Sequence, residues 1–362
     1  MGNIIKQMVS FLGGIKLTVF LLFTLFLLIL FATFAQVDYG IFEANKRYFT
    51  SWFVWLNNVP IFLGGFSIGL LLIINLLLSH ATKFRFKLNY LGIFCIHFGL
   101  VLLILGSAIT SFFGEEMQIA VKEKSSKNYL DYPNVFELVI IDPYSNEDFD
   151  SLYIYSISEL LKGINFNGVS IKVNSFYENA IINQRGIESL RYNQLGQLYK
   201  LIPLPKTYKM DERNVPGVDV DISSPDSVSK YIFWGGSDVY QDITINEKAY
   251  LIKLRSKRAY LPFSIYLDDF TKVDYMRSET AKQFISNVLL KTNDGDIPFT
   301  IEMNQPLRYS GYTFFQSSYT EDRETSVFQV VKNPSWQVPY ISSLLIVIGL
   351  LIQMTGSMRR KS

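Results

Sequence analysis

YLGIFCIHFGLVLLILGSAITSF, Tyr90–Phe112, is the stretch on which the fold turns. It is apolar over a length that crosses a bilayer, since about 20 helical residues span roughly 30 Å of hydrocarbon. A histidine, His97, sits inside it, and the chain has only one other, His80. An ionisable side chain within a span marks a functional site by default, because placing it there costs free energy.

Gly92, Gly99 and Gly106 recur every seven residues in this stretch. At about 100° per residue they drift by only about 20° per step, so they form one stripe. Such a stripe predicts a seam where another helix approaches closely. His97 lies two residues before Gly99, about 200° away round the helix. It should therefore face away from the seam, amid Ile93, Val101, Ile104 and Ala108, on a groove open to lipid or to a partner.

Three more runs have the same character. LTVFLLFTLFLLILFATFA, residues 17–35, follows Lys6 and Lys16 and exceeds the length of a signal-peptide core, so it reads as an uncleaved anchor. The second covers about Ile61–Ser79; its Gly65 and Gly69 form a small-xxx-small pair for helix approach, and its buried Asn75 needs a hydrogen-bond partner. The last runs over Val338–Gly356 and ends in Arg359, Arg360 and Lys361. Lys83, Arg85 and Lys87 join the second run to the third. Short basic segments stay on the cytoplasmic side. Both termini and the 80–89 connector are then cytoplasmic, and residues 36–60 and 113–336 lie outside. Trp52 and Trp55, just before the second span, would mark the headgroup belt, and on a helix would share a face.

The expectation is an integral membrane bundle of four transmembrane helices, three N-terminal and one C-terminal, with a large inserted all-β extracytoplasmic domain. The N-terminal membrane region is 1–112, with helices at about 15–36, 60–80 and 89–112. The β-rich domain is 113–336, and the last helix with its basic tail is 337–362. β-branched and aromatic runs carry the β reading: FELVII (136–141), VSIKVNSFY (169–177), ITINEKAYLIKLRS (243–256), SIYLDDF (264–270) and SNVLLKT (286–292). Asp294-Gly295 between strand-like runs predicts a hairpin. YTFFQSSY (312–319) and SVFQVVK (326–332) predict another, with EDRE at its tip. Sheets packed as sandwiches are expected, with a loose loop over 185–240.

Composition narrows the function. Of 362 residues 49% are hydrophobic, and the formal net charge of +2 gives no electrostatic reason for a nucleic-acid partner. The single cysteine, Cys95, excludes an intrachain disulfide, a CxxC redox pair and a cysteine-rich zinc site. No self-contained catalytic constellation is visible. A neutral imidazole inside a span is suited to ligate a metal or a haem iron. Residue chemistry alone leaves a second reading open, a histidine hydrogen-bonded across helices to Asn75 or Ser107. His80 closes the second span beside the basic connector, where a headgroup contact is the simpler role. Counted from Lys87, His97 lies about 15 Å deeper. On that count the two histidines do not serve one iron.

Taken together, the segments IKLTVFLLF, FAQVDYGIFEANKRYFTSWFVW, LLIINLLLSH, GIFCIHFGLVLLILGSAITSFFGEE and IEMNQPLRYSGYTFFQSSY resemble, in order and spacing, the ResB family of System II cytochrome c maturation (Ccs-type in chloroplasts). The resemblance covers essentially the whole chain. It implies a scaffold half of a membrane complex that delivers haem and attaches it to apocytochrome c. The implied partners are a CcsA-type haem-handling membrane protein, the apocytochrome c, a thioredoxin-like thiol reductase and the lipid bilayer. The family's transmembrane histidine matches His97, which implies a haem axial ligand for a transiently bound b-type haem. His80 is a weaker candidate. Lys46, Arg47 and Arg308 are candidates for the anionic propionates. The implied location is the cytoplasmic (inner) membrane with the large domain periplasmic, and at most one subunit of a cytochrome c synthetase. Two alternatives accompany this: a membrane chaperone that holds apocytochrome and stabilises its partner without binding haem, and a membrane-anchored binding module unrelated to haem.

Overall fold

The computed structural model describes residues 2–83, 90–143, 152–207, 214–224, 227–274, 281–320 and 324–361. Arg85 and Lys87 of the connector, residues 321–323 of the EDRE tip and the side chains of Arg359, Arg360 and Lys361 lie outside the described residues. In chain order the helices are α1 (Gly2–Leu12), α2 (Ile15–Ala44), α3 (Gly65–Lys83), α4 (Leu91–Phe113), α5 (Ile157–Lys162), α6 (Leu195–Leu198) and α7 (Val338–Lys361). The chain forms two compact units, one made of the long helices and one made of the β-rich middle.

Four helices are long and apolar enough to cross a membrane, over Ile15–Phe49, Gly65–Thr82, Leu91–Phe113 and Val338–Gly356. The first outruns its expected end near residue 36. It breaks at Gly40, where φ 70° and ψ 168° suit only glycine, then resumes to Ala44 and closes with a π turn, Asn45–Phe49. The next residues are not helical. β1 (Phe53–Leu56) and β2 (Val59–Leu63) form a hairpin whose turn residues, Asn57 and Asn58, both have positive φ. Trp52 and Trp55 thus share no helix face. Trp52 packs on Phe66 at 5.7 Å, and Phe66 stacks on Phe112 at 4.8 Å, joining the hairpin to the starts and ends of two spans.

The glycine stripe packs as expected. A Cβ on Gly92 would meet the Gly349 carbonyl, one on Gly99 would meet Ser342 and Ile346, and one on Gly106 would meet Val338, all on α7. Ser335 Oγ seals the seam by donating to the Gly106 carbonyl at 3.0 Å. The Gly65–Gly69 pair does not repeat this. Gly65 admits the backbone of the π turn at Phe49, while Gly69 makes an ordinary contact with Ile104. Asn75, 2% exposed, finds its partners at the corner between α1 and α2. Its amide donates to the Leu12 and Gly14 carbonyls, and its oxygen accepts from Thr18.

The β-rich unit opens with β3 (Glu115–Lys122), β4 (Ser125–Ile141) and β5 (Leu152–Ser156). β6 (Ile164–Phe166), β7 (Val169–Tyr177), β8 (Ala180–Gln184) and β9 (Tyr199–Pro203) follow. Then come β10 (Gly217–Ser223), β11 (Val228–Trp234), β12 (Gln241–Ile245) and β13 (Lys248–Asp274). The last are β14 (Ala281–Thr292), β15 (Gly295–Glu302), β16 (Leu307–Tyr309), β17 (Tyr312–Tyr319) and β18 (Thr325–Lys332). The 27-residue β13 is the spine. It pairs with β12, β4 and β14 in a ten-stranded sheet that runs on through β3, β18, β17 and β16.

Two cores sit along this spine. The first half of β13 gives Tyr250, Ile252 and Leu254 to a core shared with the four-stranded sheet β11-β10-β7-β6, a sandwich. The second half gives Leu261, Phe263, Ile265 and Leu267 to another core, lined also by Val288, Ile301, Phe314 and Phe328 from both ends of the strand path. The core-facing residues change from even to odd across the register shift between Ser256 and Arg258, where the partner positions on β4 jump from Phe136 to Asp131. The Asp294-Gly295 hairpin forms as expected, with Thr292 opposite Gly295.

The loose loop expected over 185–240 is corrected. β9, β10 and β11 all fall within it, and β10 and β11 complete the four-stranded sheet. In GVDVDIS, Val218 and Val220 are fully buried and Ile222 is 6% exposed, while Asp219 and Asp221 alternate with them outward. This is the period-two signature of a half-buried strand.

Candidate functional site: a histidine pair between two spans

α3 and α4 are joined by a short connector and run antiparallel in sequence terms, so residues near their shared end come side by side. His80 lies three residues before the end of α3, and His97 six residues after the start of α4. Their Cα atoms therefore differ in depth by only about 5 Å. Helical Cα–Cβ bonds tilt toward the N-terminus. In an antiparallel pair, that tilt sends the His80 side chain away from the connector and the His97 side chain toward it. The offset closes.

The result is contact. His97 Nδ1 lies 3.1 Å from His80 Nε2, with the rings 4.8 Å apart and nearly perpendicular. His80 Nδ1 lies 3.0 Å from the Leu76 carbonyl oxygen one turn earlier. Phe94 sets its ring edge-on to His80 at 5.0 Å. Both histidines are half-buried. The depth separation expected from counting back to Lys87 is thereby corrected: counting should start from the helix ends, and it must include side-chain tilt. His97 does face away from the glycine seam. Instead of an open groove toward lipid or a partner, however, it meets α3 of its own chain.

The hydrogen bonds order the protons. A carbonyl only accepts, so His80 Nδ1 carries hydrogen and donates to Leu76. In a neutral ring His80 Nε2 is then the acceptor, and His97 must donate to it from Nδ1. That leaves the lone pair of a neutral His97 on Nε2, the atom that would meet a metal. The donor set fits one axial ligand backed by a hydrogen-bonding neighbour. As they stand, the two rings do not offer both facing nitrogens to one metal, because His97 Nδ1 and His80 Nε2 share a hydrogen bond. Among the described residues no group of three or more His, Cys, Asp or Glu could hold a metal ion.

The other candidates stand elsewhere. Lys46 and Arg47 lie on the π turn beside Gly65, at the opposite end of α3 from His80. Fifteen residues of helix separate those ends, about 22 Å. Arg47 donates to Glu43 at 2.8 Å and caps the Tyr39 ring at 4.2 Å. Arg308 lies exposed on β16 of the β-rich unit. The structure brings His80 to His97 but brings neither Lys46 nor Arg47 to that pair. What sequence reasoning missed was His80 as the neighbour of His97, together with the Leu76 carbonyl behind it.

Two comparisons bear on identity. Residues 241–325, from β12 to the first residue of β18, match the ResB-like family. Over 326 residues the chain is 25% identical to Protein NrfI of Wolinella succinogenes. That match covers 88% of this chain and 32% of NrfI, so the chain spans about a third of the length of the curated relative it matches.

Proposed function

We propose that this ResB-like chain, its resemblance to the ResB family now borne out, is the scaffold half of a membrane complex that delivers haem and attaches it to apocytochrome c. The ResB-like match supports a role in cytochrome c biogenesis. The observation that carries the finer reading is the histidine pair, which fixes one imidazole inside an apolar span with its Nε2 suited to iron. His97 is the residue that would hold the haem. The haem is the cargo, and it supplies the side groups to which the client's thiols add. A second axial ligand comes in this reading from a CcsA-type partner, since His80 is already engaged with His97.

The chain's own contribution is placement. α4 is locked to α7 along the glycine seam, so His97 is held on a fixed helix face. Holding reactants side by side is itself a large part of catalysis when the reaction needs proximity rather than proton transfer. The single cysteine offers no thiol pair, so reduction of the client falls to a separate thioredoxin-like protein. In this reading the termini and the α3–α4 connector are cytoplasmic and the β-rich unit lies outside the inner membrane, which the short basic segments support.

The test is co-expression with a CcsA-type partner, purification of the complex and its visible absorption spectrum. Bound haem is expected in the complex, with its occupancy or ligand-field bands changed by His97→Ala. An unchanged spectrum at full occupancy in His97→Ala would remove the ligand role.

A further inference from the structure

His80 is not used by the reading above except as a neighbour, yet its two ring nitrogens have distinct and opposite roles. Nδ1 sits 3.0 Å from the Leu76 carbonyl, which can only accept. Nε2 sits 3.1 Å from His97 Nδ1. We propose that His80 is a positioning residue that selects the tautomer of His97: anchored by the Leu76 carbonyl, it presents Nε2 as an acceptor and holds the proton of His97 on Nδ1.

The physical case has three steps. A neutral imidazole in water favours the tautomer protonated on Nε2, in which Nδ1 carries the lone pair. At the observed contact that tautomer would aim the lone pair of His97 at His80. A lone pair set against the Nε2 lone pair of His80 is repulsive in a low-dielectric span, so one ring must change, and the Leu76 carbonyl prevents His80 from doing so. His97 therefore carries its proton on Nδ1 and its lone pair on Nε2. Phe94 packs perpendicular to the His80 ring at 5.0 Å. Histidine ligands to metals are commonly oriented by a neighbour accepting their other N–H, and loss of such a neighbour typically costs 10–100-fold in affinity. As an account of how His97 is prepared for haem, the inference rests on the proposed function. As a statement about the two rings, it does not.

The experiment exploits the count of two histidines. The full chain, labelled with 15N-histidine and reconstituted in phospholipid vesicles without haem, gives only two sets of ring nitrogens by solid-state NMR. In both rings Nδ1 is expected to carry hydrogen and Nε2 to carry the lone pair. His80→Leu should move His97 to the Nε2-protonated form, whereas His80→Gln, whose side-chain oxygen can accept, should hold it on Nδ1. A His97 protonated on Nε2 in the unsubstituted chain, or one unmoved in His80→Leu, would overturn the proposal. A doubly protonated His80 would overturn it as well, because Nε2 would then donate. With haem and partner added, His80→Leu should bind haem 10–100-fold more weakly and His80→Gln nearly as well as the unsubstituted chain. If the nitrogen signals behave as expected while haem binding ignores both His97→Ala and His80→Leu, the haem reading fails and the tautomer assignment stands.

Discussion

Gly92 of α4 and Gly349 of α7 exclude side chains from each other. A Cβ on Gly92 would stand 2.7 Å from the Gly349 carbonyl oxygen, and one on Gly349 would stand 2.6 Å from the Gly92 carbonyl oxygen. Backbone meets backbone, so neither contact can be relieved by a rotamer change. Gly92→Ala and Gly349→Ala should each destabilise the protein by about 1–3 kcal/mol, the usual range for overpacking. Gly69→Ala is the control, because its Cβ would meet only the Ile104 methyl at 3.4 Å. Unfolding in detergent, followed by far-ultraviolet circular dichroism, should rank the first two well below the third. Equal behaviour of all three would mean that the α4–α7 seam is not closely packed.

In the β-rich unit, Arg255 Nε donates to Glu137 at 3.0 Å across the β13–β4 pairing, with both side chains at most 7% exposed. Removing one partner of a buried pair leaves an uncompensated charge and typically costs 3–5 kcal/mol, whereas replacing both with apolar residues of similar volume is often neutral. Glu137→Ala should fall in that costly range. The double substitution Glu137→Leu with Arg255→Met should recover most of it. Denaturant unfolding read by tryptophan fluorescence checks the pair, and a mild Glu137→Ala would show that water reaches Arg255.

The spans were legible because length and hydropathy alone identify them, and the glycine stripe because seven residues nearly close two helical turns. The Asp294-Gly295 hairpin announced itself through turn chemistry. The β12–β13 hairpin did not, since its positive-φ turn is Asn246-Glu247 and lacks the glycine that would have flagged it. ITINEKAYLIKLRS therefore looked like one run, while the true long strand continued through SIYLDDF. The 185–240 segment hid three strands; β10 escaped notice because aspartates at 219 and 221 read as loop residues until their alternation with buried valines is noticed. His80 and His97 were visible as residues, but their contact was not: it depends on where each helix ends and on side-chain tilt, and residue counting from a lysine registers neither.

Asn75 ties the α1–α2 corner to α3, donating to the Leu12 carbonyl at 2.6 Å and the Gly14 carbonyl at 3.1 Å while accepting from Thr18 at 2.7 Å. Asn75→Leu strips both donors and should cost about 1–3 kcal/mol, the penalty for leaving buried polar groups unsatisfied. Asn75→Asp should be worse, because a carboxylate oxygen would then face the carbonyls. Hydrogen exchange over residues 10–18 is the local readout, and faster exchange confined to that corner is expected. Unchanged exchange in Asn75→Asp would show that the corner holds without this side chain.

Tyr192 gives a prediction with a pH window. Its hydroxyl donates to Asp219 at 2.6 Å, and that carboxylate, helped by burial, pushes the phenol up from 10.0 to about 12. Ionisation would remove the donated hydrogen and set a tyrosinate against a carboxylate. The folded state thus holds this proton more tightly than the unfolded chain does. A group shifted this way contributes stability that is fully present below the unfolded value and is lost as the pH rises through the folded one. The stability gap between the unsubstituted chain and Tyr192→Phe should accordingly stay constant up to about pH 10 and shrink between there and about pH 12. Denaturant unfolding of both proteins at several pH values measures the gap, and the tyrosinate absorption difference between them locates the titration. A gap that widens with rising pH would mean that Asp219 does not hold the Tyr192 proton.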